Sequence, residues 1–172
     1  MLVEYFPFAY RKSVYDINYE KLYNDGYKAL FFDLDNTLVH HGDPADERIT
    51  EFFEKIHKLG FKTVIISDNE EKRTAPFAAA VGSEYICDAS KPSPMPFLRA
   101  LEISGTEKSE AIVIGDQIFK DILGANRSGI ASVMVKYIKA PGEKWTGFRR
   151  KLEFLILFIA KLTKHSNRLG EI

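Results

Sequence analysis

Lys28-Ala29-Leu30-Phe31-Phe32-Asp33-Leu34-Asp35-Asn36-Thr37 is an apolar run that ends in acid. The run reads as a buried strand, and two carboxylates two positions apart close it. Side chains alternate along a strand, so residues i and i+2 point to the same side. Asp33 and Asp35 are therefore expected to converge at one strand end. Two carboxylates a few ångströms apart repel unless a cation sits between them or one carries a proton. Folding gains nothing from that placement, whereas a bound divalent cation or acid–base work explains it.

Outward from this stretch, apolar strands alternate with amphipathic helices. Residues 46–59 read as a helix with Ile49, Phe52, Phe53, Ile56 and Leu59 on one face and Gly60 as the stop. Residues 61–66 are a β-branched strand before Ser67, and 70–81 a helix broken or kinked near Pro76 and ended by Gly82. Tyr85-Ile86-Cys87 reads as a short third strand, Lys91-Pro92 opens a loop, and 94–103 is a helix with proline in its first turn. Residues 111–114 are a fourth strand before Gly115-Asp116, 118–128 a helix, and 130–135 a fifth strand. Upstream, the aromatic segment 1–13 with Pro7 reads as an irregular arm, and 14–24 as a short helix closed by Asp25-Gly26.

Strands alternating with helices predict an α/β fold: a parallel sheet in three layers with right-handed crossovers. Ligands of such sheets bind outside the carboxyl ends of the strands. Asp33, Ser67 and Asp116 each follow a strand directly, and Lys91 follows the third. Four strand ends are thus expected to gather a carboxylate pair, a hydroxyl, an amine and a further carboxylate.

At 172 residues the chain is expected to form one domain: an arm and helix over 1–27, a catalytic body over 28–135, and a tail over 136–172. The zero net charge hides an asymmetry. The body and arm carry 15 Lys+Arg against 21 Asp+Glu (15 − 21 = −6), and the tail 9 against 3 (9 − 3 = +6). A basic tail suggests an anionic partner. Cys87 is the sole cysteine, which excludes an intramolecular disulfide and fits a reducing compartment. The first residues lack the basic and apolar regions of a signal peptide. The longest apolar run, 154–160, is far short of the roughly 20 residues that span a bilayer. The expectation is a cytoplasmic protein, peripheral at the inner face of the membrane if the tail meets lipid. No nucleic-acid recognition motif is present.

The ordered signals Asp33-Leu34-Asp35-Asn36-Thr37, Ser67, Lys91-Pro92 and Gly115-Asp116-Gln117 with Asp121 resemble the haloacid dehalogenase (HAD) superfamily of phosphotransferases. The Asp35-Asn36-Thr37-Leu38 and Gly115-Asp116-Gln117 runs, with Gly124-Ala125-Asn126-Arg127, resemble subfamily IIIA, and within it the YqeG-type phosphatases. That group includes phosphatidylglycerophosphate phosphatases. Two positions depart from the pattern: Asp68 follows Ser67 where many members have Asn, with Asn69 one later, and Lys120 stands where a small hydroxyl residue is common.

The resemblance implies a Rossmann-like HAD fold with sheet order 3-2-1-4-5, counting strands from 28–33. It implies Mg²⁺ as cofactor and a phosphate monoester as substrate. Asp33 would be the nucleophile that forms an aspartyl-phosphate, and Asp35 the acid and base, which demands a raised pKa. Asp33, the Asp35 carbonyl and Asp116 would hold the metal, with Asp121, Asn36, Thr37 and Gln117 behind them. Ser67, Asn69 and Lys91 would bind the phosphoryl group. The segments between Asp35 and Ser67, and between Ser67 and Lys91, leave no room for the cap domain common in the superfamily. An open site suits a large or surface-presented substrate, and phosphatidylglycerophosphate is preferred by resemblance. A soluble phosphatase of nucleotides, sugar phosphates or phosphoproteins is the first alternative, and a non-catalytic binding protein on the same fold the second.

Three features stay open. His40 and His41 follow the nucleophile loop and would face the substrate rather than ligate a metal. Arg127 either contacts phosphate or pairs with an acid. In the tail, Lys136, Lys139, Lys144, Arg149, Arg150, Lys151, Lys161, Lys164 and Arg168 surround the apolar run, beside Trp145 and Phe148. Such a helix, over 144–168, can lie on an anionic membrane, pack on the core, or join a homodimer.

Overall fold

The structure is a computed structural model that describes residues 2–139, 142, 147–163 and 167–172. Among the described residues, six strands are β1 (Ala9–Arg11), β2 (Ala29–Phe32), β3 (Lys62–Ile66), β4 (Glu84–Ile86), β5 (Ala111–Gly115) and β6 (Ala131–Val135). The α-helices of the described residues are α1 (Tyr19–Asn24), α2 (Glu47–Lys58), α3 (Glu71–Val81), α4 (Met95–Ser104), α5 (Leu123–Ser128) and α6 (Phe148–Lys161). The strands form one parallel sheet in the order β1-β6-β5-β2-β3-β4. The predicted order 3-2-1-4-5 is present within it, extended by β1.

The strand alternation builds the layers. Leu30 and Phe32 of β2 face a core shared with Ile49, Phe52, Phe53 and Ile56 of α2 and Phe77 and Val81 of α3. Ala29 and Phe31 face the opposite core, with Phe97, Ala100 and Leu101 of α4 and Ala125 of α5. Because helices cover both faces, β2 is apolar at every position and wholly buried. Each fully buried Phe or Leu there contributes about 1.5–3 kcal/mol. The Asp46 side chain caps α2 by accepting the Ile49 N–H at 2.8 Å. Between β2 and β3 stand only a loop and α2, and between β3 and Lys91 only α3, β4 and a loop. No cap domain interrupts these intervals.

Several local expectations are corrected. The arm at 1–13 is not irregular throughout: Leu2–Tyr5 form a 3₁₀ turn and Ala9–Arg11 pair with Val133–Val135. The 14–24 helix splits into a 3₁₀ turn, Val14–Asp16, and α1. The helix at 70–81 is not broken at Pro76. Pro76 lies on the exposed face of α3, where water can serve the carbonyl it frees. The 118–128 helix begins as a π-helical turn, Ile118–Ile122, before α5. No described helix is long and apolar enough to cross a membrane.

α4 and α5 approach each other closely at Gly124 and Phe97. A Cβ on Gly124 would lie 2.2 Å from Cε2 of Phe97, itself fully buried. Gly124→Ala is therefore expected to destabilise the fold by about 1–3 kcal/mol through overpacking, read as a lower urea midpoint at unchanged slope.

Candidate active site

Parallel register brings the strand ends level. Phe32 of β2 lies beside Ile65 of β3 and Ile114 of β5. The next residues outward are Asp33, Ser67 beyond Ile66, and Asp116 beyond Gly115, so three polar groups meet on one rim. Asp33 continues the ladder by donating its N–H to the Ile114 carbonyl at 3.0 Å. Lys91 arrives from the loop after β4.

The Lys91 ammonium donates to Asp33 Oδ1 at 2.6 Å, Asp121 Oδ1 at 2.7 Å and the Ile66 carbonyl at 3.0 Å. All three donors are thereby engaged. Thr37 Oγ1 lies 2.9 Å from Asp33 Oδ2 and 3.2 Å from Asp116 Oδ1. Asp33, Asp116 and Asp121 each offer an oxygen, all within 4.8 Å of one another, and all three residues are buried. Asp121 thus stands inside the acid cluster rather than behind it. Two local devices admit it. The π-helical turn widens the backbone at 118–122, and Gly115 lacks the Cβ that would lie 2.5 Å from the Asp121 Cγ. Gln117 contributes its backbone N–H to Asp121 Oδ2 at 3.1 Å.

Asp35 points to a second group of side chains. Its carboxylate accepts from Arg73 at 2.7 Å and Asn69 at 2.9 Å, and His41 Nδ1 lies 2.9 Å away. Ser67 Oγ accepts from the Asn69 N–H at 3.1 Å and its amide at 2.8 Å. Asn36 holds a left-handed φ of 65° and accepts the His41 N–H at 3.1 Å. Asp68, the departure from the common pattern, accepts the Lys91 N–H at 2.9 Å and the Lys120 ammonium at 2.8 Å. The two unusual residues therefore answer each other with opposite charge. His40 lies 3.9 Å from Asp43, and Arg127 pairs with Glu4 at 3.5 Å, away from the cluster.

The electrostatics correct one expectation. Burial pushes the Asp35 carboxyl up, but hydrogen bonds from Arg73 and Asn69, the Arg73 charge and the Gly42 N–H outweigh it and lower the pKa. The raised pKa expected of an acid is therefore found elsewhere. Burial, then the Asp33 and Asp121 charges, push Asp116 up to about 8. Burial and Asp33 push Asp121 up to about 6 against the pull of Lys91. Burial opposes the Lys91 charge, yet Asp121 and Asp33 prevail and raise its pKa.

Two residues of the tail also reach the site. Arg150 of α6 donates Nη1 to the Asp116 carbonyl at 2.6 Å and Nη2 to the Asp116 carboxylate. Buried Glu153 accepts from Arg150 at 3.0 Å and from the Ile118 N–H at 2.9 Å. Nothing in the sequence distinguished Arg150 and Glu153 from a solvated tail. Arg73 carried no signal either, because it reaches Asp35 from α3, 38 residues along the chain.

A family model described as "Hydrolase: haloacid dehalogenase-like hydrolase" matches residues 41–129. The chain is 36% identical over 167 residues to the "Probable phosphatase YqeG" of Bacillus subtilis, covering 96% of this chain and 97% of that protein. It is 30% identical over 107 residues to a "Putative pyrophosphatase PpaX" of Caldanaerobacter subterraneus, covering 56% and 48%. Among solved structures it resembles a predicted phosphoglycolate phosphatase from Haemophilus somnus, with TM-score 0.54, 17% identity, and 81% and 99% of the two chains covered. The chain belongs to the haloacid dehalogenase-like hydrolases, and it is a phosphatase.

Crowded carboxylates leave a pH signature. In chelator, the folded protein keeps protons on Asp116 and Asp121 that the unfolded chain releases above the ordinary 3.8. Their contribution is fully present below about pH 4 and is lost as pH rises through about 6 and about 8. Asp35 and Asp68, shifted the other way, act only below that window. In chelator, urea midpoints are expected to fall from pH 4 to pH 8, with His57, whose pKa burial lowers, opposing the fall below its ordinary 6.5.

Proposed function

We propose that this haloacid dehalogenase-like hydrolase is a Mg²⁺-dependent phosphomonoester phosphatase that works through an aspartyl-phosphate on Asp33. The observation that carries the reading is the buried set of Asp33, Asp116 and Asp121 around one small gap, braced by Lys91. Oxygen-only donors at this spacing fit a hard divalent cation such as Mg²⁺. When bound, that ion would neutralise charge on the carboxylates and on the transferring phosphoryl group.

Asp33 attacks phosphorus with the carboxylate oxygen, forming a P–O bond as the bond to the leaving oxygen breaks. Lys91 and Thr37 fix its carboxylate for in-line approach. Lys91 acts on the phosphoryl oxygens through its charge, because its three N–H bonds are engaged within the protein. Ser67 and Asn69 supply hydrogen bonds to the phosphoryl oxygens. Asp35 gives its proton to the leaving oxygen, then takes one from the water that attacks phosphorus and frees Asp33. An arriving phosphate dianion competes for Arg73 and Asn69, and drawing them off Asp35 raises its pKa toward what an acid needs.

The preferred substrate is phosphatidylglycerophosphate, supported by the uncapped site and by the outer face of α6. That helix leaves Phe148, Phe154, Leu155, Phe158 and Leu162 more than half exposed, beside Arg149, Lys151 and Lys161. Its other side, through Ile156 and Ala160, packs with Phe6, Ile118 and Met134. The helix therefore packs on the body and still offers an apolar surface edged with cations, suited to the interface of an anionic bilayer. A cytoplasmic enzyme peripheral at the inner membrane face is the corresponding location. Lys144, Trp145 and Lys164 lie outside the described residues. Arg168 is not part of this face: it folds back, stacking 3.4 Å over the Phe8 ring and donating to the Phe6 carbonyl.

Phosphate release from an aryl phosphate is expected to require Mg²⁺, to fall to background in Asp33→Asn, and to drop roughly 10²-fold in Ser67→Ala. Turnover that survives Asp33→Asn would exclude the aspartyl-phosphate route. The full chain is also expected to co-sediment with anionic vesicles and to lose that binding in the double variant Leu155→Glu/Phe158→Glu. A full chain that ignores vesicles and forms a dimer, or hydrolyses only soluble phosphates, would remove the lipid substrate.

A further inference from the structure

We infer that Arg150 is a positioning residue for Asp116 and a resident counter-cation that lowers the site's affinity for its divalent metal. The inference rests on the Mg²⁺ reading above and adds a determinant that lies outside the catalytic body, in the first turn of α6.

The contacts of Arg150 are specific. Its guanidinium grips Asp116 twice, at the backbone carbonyl and at carboxylate Oδ2. The other carboxylate oxygen, Oδ1, faces Thr37 and Asp33. Asp116 is fully buried, so the guanidinium decides which of its oxygens is available to the cluster. Arg150 is itself held from two sides. Glu153, one turn along α6 and 3% exposed, accepts from it at 3.0 Å, and the Tyr137 ring lies 4.6 Å beneath the guanidinium carbon. Glu153 also caps the π-helical turn through the Ile118 N–H. One acid thus ties Arg150 to the turn that carries Asp121.

The charge balance gives the direction of the effect. Asp33, Asp116 and Asp121 face two cations, buried Lys91 and half-buried Arg150. Lys91 is enclosed, with a side chain 2% exposed and every donor engaged. The Arg150 side chain is 19% exposed and reaches the cluster from its rim. Arg150 is therefore the cation able to yield when a divalent ion approaches Asp116. A positive charge next to a ligand weakens the hold of that ligand on a metal. Metal occupancy is accordingly linked to the seating of α6, the helix whose outer face is apolar.

The test is calorimetric titration of the metal-stripped full chain with MgCl₂ alone. Arg150→Gln and Arg150→Met are expected to bind Mg²⁺ roughly tenfold more tightly than the parent, the scale of one charge removed a few ångströms away in a partly screened site. Arg150→Lys, which keeps the charge, is expected to stay near the parent value. A merely structural arginine would leave the affinity unchanged or weaken it in the uncharged variants, and either result overturns the inference. A parent chain that binds no Mg²⁺ would instead overturn the metal reading of the site, a distinct result. If the uncharged variants do not fold, the Arg150 Nε–H resonance of the parent, assigned with Arg150→Lys, decides the matter. It is expected to shift with Mg²⁺ and saturate at the calorimetric affinity, and a resonance that does not move overturns the inference.

Discussion

The Lys91 ammonium lies sealed between Asp33, Asp121 and the Ile66 carbonyl, and the rest of the site depends on that contact. Three carboxylates cannot share a dry pocket without cations, and burial alone would drive them to take up protons. Lys91 pairs with Asp33 and Asp121, and it draws Asp121 back toward its charged form, while Arg150 meets Asp116 from the rim. Removing one partner of such a buried pair leaves an uncompensated charge, at a cost of about 3–5 kcal/mol. The chemistry and the stability of this rim are therefore one electrostatic problem.

Backbone geometry sets up that problem with few parts. Level parallel strands deliver Asp33, Ser67 and Asp116 to one edge. Gly115 makes room for Asp121, and the widened turn after it turns that acid inward. Helices on both faces keep β2 dry, so Asp33 stands on a rigid support. With no cap domain between the strands, access is set by the surrounding side chains: His41 and Arg73 beside Asp35, Lys120 on Asp68, and α6 beyond Asp116.

Much of this was legible in the chain because buried strands write themselves as apolar, β-branched runs. Residues 28–33, 61–66, 111–114 and 130–135 were readable for that reason, and Asp33, Ser67 and Asp116 at the ends of the first three marked the rim. What escaped notice depends on distant partners. Ala9-Tyr10-Arg11 is too short and mixed to announce a strand, and it becomes one only beside Val133–Val135. The π-helical turn has the same apolar spacing as an α-helix. The sign of the Asp35 shift follows from Arg73 reaching across from α3, a contact that spacing along the chain does not reveal. Arg150 and Glu153 looked like ordinary tail charges, yet tertiary packing buries Glu153 completely enough to make it a structural anchor.

The outermost strands, β1 and β4, are only three residues long each. An exposed sheet edge offers unpaired N–H and C=O groups on which another chain can template, and brief edges are one way proteins suppress such pairing. Here the long, strongly apolar strands are all interior, and each flank closes with a stub. A wide parallel sheet that assembles slowly is thereby shielded from sticking to its neighbours, even where crowding on a surface raises the local concentration of the protein.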